Sequence, residues 1–152
     1  MSPNATPAKS ETSTPTPDQA TGDAILVVDD ATSLRRLVAL VLGRDGYKVV
    51  EASSGQAALD LLTTAPSKFR LLVTDLSMPG MSGFDLIHQA KQAVPGLKLL
   101  AMTGSYTFGE IEGILLDLGL SKLLHKPFDH SELLNAVREA FATPDSADPL
   151  AD

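Results

Sequence analysis

Three uninterrupted apolar runs constrain this chain more than any other feature: Ala24-Ile25-Leu26-Val27-Val28, Leu71-Leu72-Val73 and Leu99-Leu100-Ala101-Met102. Each is short and bounded by polar or turn residues. None alternates as a half-wet strand would, so each reads as a strand buried on both faces. Between them the apolar spacing becomes helical. Leu34, Leu37, Val38, Val41 and Leu42 recur every three to four residues, with Thr32 or Ser33 as cap and Gly43 and Gly46 near the stop. Ser53 and Gln56 have capping-box spacing before Ala57, Ala58, Leu61 and Leu62, and Pro66 closes that segment. Phe84, Ile87, Ala90 and Val94 give a third stripe, stopped by Pro95-Gly96. Thr107 and Glu110 precede a fourth (Ile111, Leu115, Leu118), and Asp129 and Glu132 open a fifth (Leu133, Leu134, Val137, Ala140, Phe141). Tyr47 to Val50 and Ser121 to His125 supply two further strands.

Strands alternating with helices in one short domain imply a parallel sheet covered on both sides, with right-handed crossovers. The second and fifth strands carry Lys48 and Lys122, which suits edge positions. The expected fold is therefore flavodoxin-like, a (βα)5 doubly wound parallel sheet of strand order 2-1-3-4-5. A dinucleotide-binding fold is excluded, because Asp29-Asp30 stand where its glycine-rich turn would follow the first strand. The domain is expected over 23–142. Residues 1–22, rich in Pro, Thr and Ser, and the acidic 143–152 read as disordered tails that bury too little apolar surface to fold.

Composition narrows the function. The chain has no cysteine, which removes disulfides, thiolate metal sites and cysteine nucleophiles. The net charge is −7, but the tails carry most of it, leaving a body without the basic stripe that nucleic acid requires. No apolar run approaches the ~18–20 residues that cross a bilayer, and the first residues lack a secretory signal, so a cytoplasmic location is expected.

The chemistry gathers at the strand ends. The third strand stops on Asp75, followed at once by Leu76-Ser77-Met78-Pro79-Gly80. A lone aspartate there would read as a turn cap. In the expected strand order, however, the first and third strands are neighbours, so Asp29, Asp30 and Asp75 converge. Three carboxylates together oppose one another's ionisation unless a cation is supplied, and an all-oxygen set with no His or Cys suits Mg²⁺. The fourth strand ends on Thr103-Gly104-Ser105 and the fifth on Lys126-Pro127, on the same side of the sheet. A hydroxyl and an ammonium beside the carboxylates leave room for a tetrahedral dianion. That is equipment for phosphoryl transfer onto a carboxylate.

Leu26-Val27-Val28-Asp29-Asp30, Thr74-Asp75-Leu76-Ser77-Met78-Pro79-Gly80-Met81-Ser82-Gly83, Met102-Thr103-Gly104 and Lys126-Pro127-Phe128, in this order, resemble the receiver domains of two-component response regulators. The resemblance covers residues 23–142 and implies a stand-alone bacterial receiver, related to the chemotaxis regulators. It implies Asp75 as phosphoacceptor, and Asp30, Asp75 and the backbone carbonyl of Ser77 as Mg²⁺ ligands, with Asp29 acting directly or through water. Thr103 and Lys126 would hold the phosphoryl group, Gly104 would keep the pocket mouth open, and Lys126-Pro127 would be a cis peptide. Ser77 and Ser105 fall where the family tunes dephosphorylation; both are small and admit water.

The family usually carries Tyr or Phe three residues before its strand-five lysine, and here that position is Leu123. Tyr106-Thr107-Phe108-Gly109 is the candidate to take over part of that role. The implied partners are a sensor histidine kinase or histidine phosphotransfer protein and an output protein, with neither nucleic acid nor membrane bound directly. A monomer or weak homodimer is expected. The reading is of a phosphoacceptor and switch rather than an enzyme. Leu123 favours one alternative, a phosphorylation-independent interaction module. An aspartyl-phosphate hydrolase is disfavoured, since Asp75-Leu76-Ser77 lacks the second acid of a D-x-D nucleophile motif. His88 and His130 read as solvated helix positions, His125 as a strand end, and Arg35 and Arg36 as the wet face of the first helix.

Overall fold

The computed structural model describes residues 22–104, 108–120 and 123–142. Within these, β-branched and long apolar side chains make the strands, and segments with helical apolar spacing return between them. In chain order the elements are β1 (Ala24–Val28), α1 (Thr32–Arg44), β2 (Lys48–Ala52), α2 (Gly55–Thr64), β3 (Phe69–Asp75), α3 (Gly83–Ala93), β4 (Lys98–Thr103), α4 (Phe108–Leu118), β5 (Leu123–His125) and α5 (His130–Ala142). All strand pairs are parallel, in the order β2-β1-β3-β4-β5. The expected topology is the observed one.

Side chains alternate across a strand, so each apolar strand feeds two cores. Leu26, Val28, Leu72 and Ala101 face one core, under α2, α3 and α4 through Leu62, Leu86, Ile87 and Ile114. Ile25, Val27, Leu71, Val73, Leu100 and Met102 face the other, under α1 and α5 through Val38, Leu42, Leu133 and Val137. All five residues of β1 are buried, as a central parallel strand requires. β2 at the edge is open, with only Ala52 buried.

Helix starts differ from expectation in detail. The N-cap of α1 is Ala31, not the expected Thr32 or Ser33, which lie inside the helix, and the Ala31 side chain makes no cap bond. Instead the Asp29 carboxylate accepts from the Ala31 N–H at 2.9 Å. Ser54, one residue after the expected Ser53, caps α2 by accepting from the Ala57 N–H. α5 carries the reciprocal capping box in full: Asp129 Oδ1 accepts from Glu132 N–H and Glu132 Oε1 from Asp129 N–H. Residues 1–21 and 143–152, the bulk of the two expected tails, lie outside the described residues, as do Ser105, Tyr106, Thr107, Ser121 and Lys122.

Candidate functional site

The parallel sheet brings the C-terminal ends of β1, β3, β4 and β5 to one rim. Asp29 follows the last residue of β1 and is 1% exposed. Its N–H donates to the Ala52 carbonyl at 3.3 Å, tying the strand end to β2. Its Oδ1 is occupied by Ala31, and its Oδ2 stands 3.1 Å from Lys126 Nζ. Asp30 is exposed beside it. Asp75 closes β3, is 6% exposed, and places Oδ1 3.1 Å from the same ammonium. One oxygen from each of Asp29, Asp30 and Asp75 lies within 4.8 Å of the others. The convergence read from strand order is therefore present, with Lys126 bridging Asp29 and Asp75.

The backbone around Asp75 is fixed from several sides. Thr74 Oγ1 donates to the Asp75 carbonyl at 2.9 Å, and Leu76 N–H donates to the Met102 carbonyl at 3.0 Å. Gly83, which opens α3, donates its N–H to the Leu76 carbonyl at 3.0 Å. It lies so close that a Cβ there would collide with the Asp75 carbonyl and the Leu76 backbone. Lys126 is placed by its own N–H, which donates to the Thr103 carbonyl at 2.7 Å, and the Lys126–Pro127 peptide is cis. Thr103 ends β4 and is buried. At Gly104 a Cβ would stand 3.2 Å from Lys126 Cβ, so a larger residue would press on the lysine stem.

Burial pushes the Asp75 carboxyl above its ordinary value. Asp29 and Asp30 add to that rise, while the bond and charge of Lys126 oppose it. For Lys126, burial works to lower the ammonium's value, but its bonds to Asp75 and Asp29 and their charges prevail, and it is raised. Three carboxylates against one ammonium leave the cluster short of positive charge. The donors are all carboxylate oxygens, which fits a hard divalent cation.

Other expected residues stand apart from this contact set. Ser77 is exposed in the loop after β3, and Ser105 lies outside the described residues. Leu123 starts β5, half-buried and packed against the core that contains Leu118 and Ala101. His88, His125 and His130 are exposed, and so is Arg36. Arg35 corrects the reading of a wet first helix. It is 9% exposed, its Nε pairs with Glu51 at 3.0 Å, and its guanidinium donates to the Asp29 backbone carbonyl at 3.0 Å. The signal for it was in the spacing: Arg35 precedes Val38 by three residues and Leu42 by seven, on the buried stripe.

A family model, the response regulator receiver domain, matches residues 25–138. The chain belongs to this receiver family. Sporulation initiation phosphotransferase F of Bacillus subtilis is 32% identical over 119 residues, covering 77% of this chain and 92% of that protein. The DNA-binding transcriptional regulator NtrC of Rhizobium meliloti is 37% identical over 125 residues, 82% of this chain, but the match spans only 25% of that regulator. Among solved structures, the chemotaxis protein CheY4 of Vibrio cholerae superposes with a TM-score of 0.70 at 27% identity, over 78% of this chain and 98% of that one. No helix among the described residues is long and apolar enough to cross a membrane.

Proposed function

We infer that this receiver takes a phosphoryl group on Asp75 from a phosphohistidine of a sensor histidine kinase or phosphotransfer protein, and that the change alters its binding to an output protein. One observation carries the reading: Asp75, buried at the end of a central strand, shares one ammonium with Asp29 inside a cluster of three carboxylates. A carboxylate so placed is a nucleophile held in position, and positioning with charge neutralisation supplies most of phosphoryl-transfer catalysis.

In the transfer, an Asp75 carboxylate oxygen bonds to phosphorus as the bond from phosphorus to the donor's imidazole nitrogen breaks. The imidazole leaves with the electron pair. Lys126, already 3.1 Å from Asp75 Oδ1, moves its charge onto the incoming phosphoryl oxygens. Thr103, at the end of the adjacent strand, donates its hydroxyl to them, and Gly104 keeps the approach clear. Asp30, Asp75 and the Ser77 carbonyl would hold Mg²⁺, with Asp29 direct or through water, and the ion would supply neutralising charge for the transferred group. Ser77 and Ser105, by the small size of their side chains, tune hydrolysis of the acyl phosphate by water. The chain is a phosphoacceptor, with self-phosphorylation and self-dephosphorylation as its only chemistry. Residues 23–142 form the acting unit, with 1–22 and 143–152 as its flanking tails, and it works in the cytoplasm as a monomer or weak homodimer.

The test is phosphate incorporation from acetyl phosphate with Mg²⁺, read by intact mass. Wild type should gain one labile phosphate and Asp75→Asn none. A folded wild type that gains nothing at saturating donor overturns the reading. Such a result would favour the alternative suggested by Leu123, whose half-buried aliphatic chain has no polar end to follow a change in the pocket: a binding module indifferent to phosphate.

A further inference from the structure

We propose that Arg35 is a positioning residue for the acidic pocket: anchored by Glu51 of β2, its guanidinium holds the Asp29 backbone carbonyl and so fixes where the Asp29 and Asp30 carboxylates stand. The proposal rests on the receiver chemistry above and concerns a residue outside the cluster itself.

Burying a charge is costly. A guanidinium removed from water loses much of its solvation, and an apolar side chain of similar volume would often serve a core as well. Arg35 sits on the stripe of α1 that otherwise carries Val38, Val41 and Leu42, so simple packing does not call for a charge there. What the charge does is visible in its two bonds. Nε meets Glu51 Oε1 at 3.0 Å, and the other arm reaches the Asp29 carbonyl at 3.0 Å. The planar fork makes both contacts at once, which a flexible ammonium does with far less directional control.

The choice of acceptor is the telling point. The Asp29 carbonyl belongs to the peptide linking Asp29 to Asp30, so its orientation sets the direction in which the chain leaves β1. Asp29 is already held through its N–H by Ala52 and through its carboxylate by Ala31 and Lys126. Arg35 supplies the remaining hold, on the carbonyl. Asp30 is different, because no hydrogen bond or ion pair of its side chain occurs among the described residues. Its place in the cluster depends on the backbone before it. Glu51, about a third exposed on the edge strand, fixes the far end of this strut without touching any pocket carboxylate.

The experiment titrates Mg²⁺ into the full chain by calorimetry and measures acetyl phosphate incorporation across Mg²⁺ concentrations. It compares wild type, Arg35→Met, Arg35→Lys and Glu51→Ala. Residues that orient metal ligands from behind commonly cost 10–100-fold in affinity when removed. Arg35→Met should weaken Mg²⁺ binding roughly tenfold or more and slow phosphorylation most at limiting Mg²⁺. Arg35→Lys should recover part of the affinity, and Glu51→Ala should weaken it severalfold. A role in packing alone would lower the melting temperature while leaving every Mg²⁺ affinity within about twofold of wild type, and that result overturns the proposal. If Arg35→Met does not fold, Glu51→Ala decides on the same criterion. A wild type that binds Mg²⁺ but takes no phosphate sinks the phosphoacceptor reading instead, and the affinities still decide Arg35.

Discussion

Lys126 balances only part of the charge it faces. With Asp30 clustered beside Asp29 and Asp75, and only the latter two paired with the one ammonium, the metal-free pocket carries like-charge repulsion that folding must overcome. The Asp75 carboxyl is raised above 3.8, first by burial and then by Asp29 and Asp30. A group raised in the folded state binds its proton more tightly there than in the unfolded chain. Its ionisation therefore costs stability as pH rises through the raised value, and the penalty disappears below about 3.8, where both states are protonated. Lys126 has the opposite consequence. Its contribution is complete below about 10.5 and is lost as pH rises through its higher folded value. Without metal at neutral pH, Asp75→Asn should melt higher than wild type, and the gap should close as the pH is lowered toward 4. The sign is diagnostic, since most substitutions destabilise by about 1 kcal/mol. Thermal melts of both proteins in chelator across that pH range check it, and an Asn variant that melts lower at pH 7 would show that repulsion is not the dominant cost.

At the scale of elements, the pocket depends on how tightly α3 seats on β3. Gly83 begins α3 with its N–H on the Leu76 carbonyl, and the space a Cβ needs is filled by the Asp75 carbonyl. That neighbour is backbone, so it cannot rotate away. Gly83→Ala should cost at least about 2 kcal/mol, the range of overpacked cores. It should also slow phosphate incorporation, because the relief it forces moves Asp75. A melt and an acetyl phosphate time course measure the two effects, and Gly113→Ala, on an exposed turn of α4 with open space at its Cβ, is the control: it should leave phosphate incorporation unchanged and, by replacing a helix glycine, raise stability by up to about 1 kcal/mol. Strand order, both cores and the carboxylate triad were legible in the sequence, because continuous apolar runs and the topology rules leave few arrangements. Caps were less legible. Ser53 and Ser54 are adjacent and chemically equal, and the first turn of α1 is served by Asp29, which lies before the cap. The apolar stripe also misplaced Leu37, which is 44% exposed beside Leu40 at 52%. Arg35 takes the inward position that hydropathy alone denies to a charge. A periodic pattern reports which face is buried, not that a cation on that face has found an acceptor behind the pocket.

For the molecule as a whole, both faces of the sheet are closed by separate cores, and the ionic cluster stands at one rim outside them. Occupying or emptying that rim should therefore change the free energy of the folded state while leaving the fold as it is. A ligand that binds only the folded chain stabilises it by RT ln(1 + [L]/Kd), about 2.7 kcal/mol at a concentration one hundred times Kd. For a domain of this size each kcal/mol moves the melting point by roughly 4 °C, so Mg²⁺ at that excess should raise it by about 10 °C. The rise should continue with the logarithm of Mg²⁺ concentration and should not be matched by Na⁺ at equal ionic strength. Asp30→Ala removes an exposed carboxylate that no core side chain needs, so the variant should fold with a flat Mg²⁺ response. If Asp30→Ala keeps the wild-type slope, the cation is acting on the acidic surface at large and not at this rim. A slope lost together with the ability to take phosphate from acetyl phosphate would instead join metal, carboxylates and transfer in one site.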